Sequence, residues 1–210
     1  MEANYKETFE TWNKVAQLYE DKFMQLDLYD ATYDYFCKAV QQQNAAVLDV
    51  GCGPGNISRY ILSKRPDFNV LGIDISPNMV ALAQKNNPIA RFELLDSRRV
   101  GTLQMKFDGI VCGFCLPYLS PADGAVFIKD MGILLKDGGV AYLSFVAGAP
   151  VNSGFQTGSS GDRIYFHYYD TVELCQQLKA CGLQILEVFT LTYQRSAVLS
   201  ETHNVIIARK

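Results

Sequence analysis

Short apolar runs that alternate with helix-like stretches constrain this chain more than any other feature. "AAVLDV", "NVLGIDI", "FDGIVCGF" and "GVAYLSFV" are apolar at almost every position. A strand covered on one face alternates apolar with polar residues, whereas one without that alternation is buried on both faces. Parallel strands buried in this way need a crossover, usually a helix, between them. Helix signals fall where those crossovers belong. Ser76-Pro77 and Ser120-Pro121 each set a capping hydroxyl before a proline at the first helical position. With "ARFELLD" as a further strand, the pattern predicts a parallel sheet with helices on both faces.

The two ends read differently. "TFETWNKVAQLYEDKF" and "DATYDYFCKAVQQQ" carry helical periodicity, so residues 1–43 are expected to form an N-terminal helical cap. The core is expected over 44–146. "AGAPVNSGFQTGSSGDR" is rich in glycine and serine and reads as a loop, within an acceptor-side segment 147–170. A loop of that length in a compact domain serves a function or moves, and 149–163 is expected to act as a lid. Over 171–210, Asp170 and Glu173 fit a capping box and Gly182 a helix stop. "LQILEVFTLTY" and "HNVIIARK", separated by a turn, should pair antiparallel. The expectation is one α/β domain with a seven-stranded, mostly parallel sheet and an antiparallel C-terminal hairpin.

Composition excludes several classes. At 210 residues, 49% apolar and 20% charged, the chain can bury a core without disulfide staples. No apolar run approaches the ~18 residues that span a bilayer, and "MEANYKETFE" is too polar for a secretory signal, so a soluble, cytoplasmic protein with no membrane partner is expected. A net charge of −3, with "SRRV" the densest basic spot, argues against a nucleic-acid partner. Cys112 and Cys115 form a CxxC. With no second ligand pair of the right spacing, they read as small apolar residues at a strand end, and no metal is expected.

"VLDVGCGPGN" carries the chemistry. Gly51, Gly53 and Gly55 follow the first strand at alternate positions and open a helix. Such a loop lets backbone N–H groups approach a ligand, and the helix start favours negative charge. The dinucleotide fingerprint wants its third glycine three residues after the second, where Asn56 stands, so that fingerprint is not met. Asp74, about 20 residues on at the end of the second strand, can accept both hydroxyls of a ribose. Loop and acid together specify an adenosine-like ligand.

"VLDVGCGPG", "GIDIS", "LLD" and "FDGIVCGFCLPYLS", followed by "LLKDGGVAYLSF", resemble in order and spacing the motifs of class I S-adenosylmethionine-dependent methyltransferases, over roughly 44–145. The resemblance implies a Rossmann-like fold with S-adenosylmethionine as cofactor. It implies that Asp49, Gly51, Cys52, Gly53 and Gly55 line the methionine end and that Asp74 holds the ribose. Ile75 and Met79 would lie on the adenine, Asp96 with Ser97 beside it would bond the adenine amino group, and Cys112, Gly113 and Phe114 would run along the cofactor. In similar small-molecule enzymes an N-terminal tyrosine reaches the cofactor carboxylate. Tyr19 is the candidate, a packed core aromatic being the other reading.

Methyl transfer from a sulfonium is an in-line displacement with an excellent leaving group, so alignment and exclusion of water suffice unless the acceptor must lose a proton. His167, in "YFHYYD", is the candidate base or orienter, and a hydrogen-bonded loop histidine otherwise. Tyr118, in "CLPYLS", is the candidate acceptor-facing aromatic, and packing otherwise. "GFCLPY" lacks the Asn/Asp-Pro-Pro-aromatic motif of amino-methylating nucleobase enzymes, and neither Cys112 nor Cys115 sits in the Pro-Cys setting of cytosine carbon methylation. A small-molecule acceptor is therefore expected. A non-catalytic cofactor-binding or regulatory protein on the same fold is the alternative, and an NAD-dependent oxidoreductase a more distant one.

Overall fold

The computed structural model describes residues 3–158, 161–196 and 198–210. Strands β1 (Ala46–Val50), β2 (Asn69–Asp74), β3 (Arg91–Leu94), β4 (Phe107–Gly113), β5 (Leu135–Val146), β8 (Gln184–Gln194) and β9 (Ser200–Arg209) form one seven-stranded sheet. Its order is β3-β2-β1-β4-β5-β9-β8. Pairs from β3 through β5 are parallel, while β9 runs antiparallel to both β5 and β8. A separate antiparallel ribbon joins β6 (Gly154–Thr157) and β7 (Arg163–Phe166).

Period-two geometry sends alternate side chains of each strand to opposite faces. Leu48, Ile110, Leu143 and Ile206 meet α6 (Pro121–Leu134) and α7 (Thr171–Ala180) through Phe127, Ile128, Met131, Leu174 and Leu178. Val47, Val111, Tyr142 and Ile207 meet α3 (Asp30–Ala39), α4 (Asn56–Lys64) and α5 (Pro77–Asn86) through Tyr33, Phe36, Ile61 and Ala83. The unbroken apolar strands of the sequence are thus covered on both sides. Helix starts follow the predicted caps. Ser76 Oγ accepts from Met79 N, Ser120 Oγ from Asp123 N, and Asp170 from Glu173 N. Arg65 closes α3 by donating to the carbonyls of Cys37, Val40 and Gln42, which ends the helix before the "QQQ" run the periodicity had included.

Two stretches differ from the sequence reading. "TFETWNKVAQLYEDKF" is divided at Val15 into α1 (Ala3–Lys14) and α2 (Ala16–Phe23), with hydrogen bonds still crossing the join from Val15 N to Thr11 O and from Tyr19 N to Val15 O. The stretch read as a loop, 147–163, contains β6 and the first residue of β7, while Ser159 and Ser160 lie outside the described residues. The ribbon is specified by its neighbour in space. Thr11 Oγ1 of α1 donates to Arg163 O at 2.8 Å, Tyr165 N donates to Thr8 Oγ1 at 2.9 Å, and Arg163 pairs with Glu7 at 2.8 Å. Among the described residues no helix is long and apolar enough to cross a membrane.

Candidate functional site

The strand order reverses between β1 and β4, and ligands of open α/β sheets bind beyond the carboxyl ends of the strands at such a point. The glycine loop lies there. Gly51, Gly53 and Gly55 have φ of 66°, 53° and 82°, a region that costs other residues energy. At Gly51 space is short as well, since an added Cβ would stand 2.8 Å from Cys115 Cβ.

Asp74 ties this loop to the end of β2. Its Oδ2 accepts from Gly53 N at 3.0 Å and its Oδ1 from Ser76 N at 2.8 Å. Burial raises its pKa, and the backbone N–H groups of Ser76, Gly53 and Ile75 oppose that rise. Those donors leave part of the carboxylate's accepting capacity free. Asp49 sits behind the loop, fully buried. Ser58 Oγ donates to its Oδ2 at 2.7 Å, its Oδ1 has no partner, and burial pushes its pKa up to about 6.

A narrow cavity of about 130 Å³ extends from this loop across the ends of β2 and β3. Asp74, Ile75, Met79, Leu95, Asp96 and Ser97 line it, and α1 covers it with Tyr5, Thr8, Phe9 and Trp12. Arg98 donates to both oxygens of Asp96 through Nε, at 3.0 Å each, and its guanidinium lies 4.1 Å from the Tyr5 ring centre. The Tyr5 hydroxyl donates to Asp123 and accepts from Ser120 N at 2.8 Å.

A wider cavity of about 450 Å³ lies on the other side of the glycine loop. Its walls are aromatic: Phe23, Tyr29, Tyr33, Phe166 and Tyr193, with Gln156, Arg195, Glu201 and His203 among the polar lining groups. Trp12, Tyr19, Gly51, Gly53, Gly113, Phe114 and Tyr118 line both cavities and form the boundary between them. Phe114 holds a left-handed φ of 55°, unusual for a bulky side chain, with its N–H donating to Ser144 Oγ at 3.0 Å. That conformation directs its ring against Tyr29 and His203, with centres 5.2 and 4.8 Å away. Trp12 Nε1 is buried at this boundary without a hydrogen-bond partner.

Most residues singled out from the sequence gather here. Tyr19, Gly51, Gly53, Asp74, Ile75, Met79, Asp96, Ser97, Gly113, Phe114 and Tyr118 line the narrow cavity, and Cys52 lines the wide one. Four others stand outside both linings. Asp49 and Cys112 are fully buried behind the strand ends. Gly55 faces α5, where a Cβ would strike Asn87 and Ala83. His167 packs on Tyr165, 4.8 Å between ring centres, with its N–H donating to Pro117 O at 2.7 Å, and burial lowers its pKa. The sequence reading missed Tyr5, Trp12, Tyr29, Tyr193, Glu201 and His203 as site residues. No motif marks them, because they come from separate segments that meet only in the fold. Among the described residues no three His, Cys, Asp or Glu side chains are grouped to hold a metal ion.

Residues 47–139 match the profile of a methyltransferase domain. The chain is 30% identical over 136 residues to a protein of Invertebrate iridescent virus 6 that is named as a methyltransferase, a match covering 65% of this chain and 49% of that protein. It is 26% identical over 179 residues to the ubiquinone biosynthesis O-methyltransferase of Xanthomonas axonopodis pv. citri, covering 77% and 72%. The chain thus spans about half of the viral relative's length. Among solved structures, the 1,6-didemethyltoxoflavin-N1-methyltransferase of Burkholderia thailandensis, with its substrate and S-adenosylhomocysteine bound, superposes with a TM-score of 0.74 at 19% identity, over 100% of this chain and 91% of that one. That likeness concerns the fold. Residues 47–139 thus carry the pattern of a methyltransferase domain, the ordered motifs around Gly51, Asp74 and Asp96 lie within it, and the chain as a whole is similar to class I S-adenosylmethionine-dependent methyltransferases in fold.

Proposed function

We propose that the narrow cavity binds S-adenosylmethionine and that the wide cavity presents a small-molecule acceptor for methylation. The observation that carries this reading is the shared boundary. Gly51, Gly53, Gly113 and Phe114 face both cavities, so a group held in one meets a group held in the other there.

The donor set fits the cofactor. Asp74 lines the cavity and keeps accepting capacity for a ribose hydroxyl. Ile75, Met79 and Leu95 offer apolar walls for a flat base, beside Asp96, whose carboxylate Arg98 holds. Asp49 and Asp74 give the end of the cavity at the glycine loop a negative cast suited to a cationic group. When bound, the cofactor supplies a methyl carbon on a sulfonium whose sulfur departs without protonation.

The chain's own residues then orient and shield. Tyr19, Trp12 and α1 close the narrow cavity from above, which excludes water from the boundary. Tyr118 meets Trp12 edge-on at 5.4 Å and Phe166 at 5.9 Å, so its ring is fixed where the acceptor arrives and serves to position it. His167, outside both linings, acts at most through its neighbours. The β6–β7 ribbon, joined to α1, serves as the lid.

The test is isothermal titration with S-adenosylmethionine, S-adenosylhomocysteine and NAD in parallel. Binding of the first two and not of NAD is expected. Binding of NAD alone, or of none of the three, would overturn the assignment.

A further inference from the structure

The wide cavity contains one connected chain of titratable groups that the reading above leaves without a task. Glu201 Oε2 lies 3.3 Å from His203 Nε2. A carboxylate only accepts, so Nε2 carries the hydrogen and the lone pair of the neutral ring sits on Nδ1. Tyr29 Oη donates to that lone pair at 2.6 Å. The ring is held in place, stacked on Tyr193 with centres 5.0 Å apart and an interplanar angle of 14°, and set against Phe114 at 4.8 Å. Arg195 fixes the carboxylate by donating to Glu201 Oε1 at 2.7 Å. Tyr29, His203 and Glu201 all line the cavity, and Phe114 connects them to the boundary with the narrow one.

Resting on the reading of the wide cavity as the acceptor chamber, we infer that its occupant is an aromatic hydroxyl and that Tyr29, His203 and Glu201 take its proton. Tyr29 Oη donates to His203 and keeps lone pairs with which to accept from a hydroxyl in the cavity. The acceptor O–H bond breaks and its proton goes to Tyr29 Oη, while the proton of Tyr29 goes to His203 Nδ1. The electron pair of the broken bond stays on the acceptor oxygen, which becomes the nucleophile. The imidazolium so formed faces the Glu201 carboxylate, which lies partly in solvent and returns the proton to water. The aromatic walls suit a flat ring. A phenol reaches the site protonated at neutral pH and needs such a relay, whereas a carboxylate brings no proton to remove. Burial keeps the resting His203 neutral, and Glu201 opposes that effect.

The groups that face His203 and Tyr29 are Glu201 and Arg195 at the rim, Tyr193 on β8, Tyr19 on α2, and Tyr142 behind Tyr29. Neither Tyr29 nor His203 lies in a sequence motif of the family resemblance.

The test uses 4-nitrophenol, whose phenolate absorbs in the visible, with the full chain, in the absence and presence of S-adenosylhomocysteine. Trp12, the chain's single tryptophan, lines the cavity and reports entry of the probe through quenching. The bound probe is expected to ionise about one pH unit or more below the free compound, a change of roughly tenfold in the ionisation constant. His203→Phe keeps a ring between Tyr193 and Phe114 and removes the nitrogens. Tyr29→Phe breaks the chain at its first member. Each is expected to bind the probe and return its ionisation to the free midpoint or above, and Tyr29→Phe decides the matter if His203→Phe does not fold. Glu201→Gln is expected to reduce the shift severalfold. An unshifted midpoint in the wild type, or a full shift surviving in Tyr29→Phe, overturns the relay. Unquenched Trp12 overturns the aromatic hydroxyl as occupant. S-adenosylhomocysteine binding is read separately by calorimetry, so its absence would sink the cofactor assignment without touching the optical result.

Discussion

The two cavities are built in opposite ways. The narrow one rests on the ends of neighbouring parallel strands, where the loop after β1, the end of β2 and the turn after β3 each supply a short contiguous piece. Its central contacts, Gly53 and Ser76 N–H to Asp74, join residues at or near strand ends. The wide cavity is assembled from α1, α2, the start of α3, the β6–β7 ribbon and the β8–β9 hairpin. Its cover is fastened by exposed polar contacts, Lys14 to Asp162 and Arg163 to Glu7, where the sheet is fastened by buried apolar surface. A sheet edge therefore provides a rigid seat, and the surrounding elements provide a pocket that can be re-cut without disturbing it.

The largest effect expected on this contrast is in the seat. Burial raises Asp49 to about 6 in the fold, against about 3.9 in an unfolded chain. The native state thus holds the Asp49 proton more tightly. Its contribution to stability is fully present below pH ~4 and is lost as pH rises through 6, by on the order of 3 kcal/mol. Asp49→Asn, which keeps a partner for Ser58, is expected to abolish that part of the slope when denaturant unfolding is compared with wild type between pH 4 and pH 7. An unchanged slope would place the titration elsewhere.

Asp74→Ala removes the carboxylate proposed to hold the ribose and its tie to the glycine loop. Cofactor affinity is expected to fall by about 2–3 kcal/mol in calorimetry. Wild-type affinity would break the assignment of the narrow cavity. Gly51→Ala combines a left-handed backbone with a Cβ against Cys115, a stability cost of about 1–3 kcal/mol. At this chain length that lowers Tm by roughly 2–4 °C per kcal/mol.

The smallest effect belongs to the cover. Lys14→Ala with Arg163→Ala removes two exposed pairs worth about 0.2–1 kcal/mol each. Global Tm should hardly move, yet proteolysis within the ribbon should quicken, and cofactor should slow it in the wild type more than in the variant. Equal protease sensitivity with and without cofactor in both proteins would show that the ribbon is no lid.

The sheet was legible because its signals are local. "AAVLDV" needs no partner to declare burial on both faces, and Ser76-Pro77 or Ser120-Pro121 start helices through contacts a few residues long. The glycine loop and Asp74 were legible for the same reason. What the loop reading of 147–163 lacked was the pairing of β6 with β7, a strand that Thr8 and Thr11 of α1 hold through Tyr165 and Arg163. The same holds for Arg65, which ends α3 from a distant position.

Gly51, Gly53 and Asp74 could be placed at the strand ends from sequence because backbone conformation and strand-end position follow from neighbours in the chain. His203 could not. On β9 it looks like an ordinary residue of a C-terminal strand, and only the antiparallel return of that strand beside β5 and β8 brings it to Tyr29, more than 170 residues earlier, and to Glu201 on its own strand. Local chain chemistry determined the sheet, the glycine loop and the strand ends that line the narrow cavity. Long-range packing, which joins residues by space and not by sequence, decided which side chains line the wide cavity.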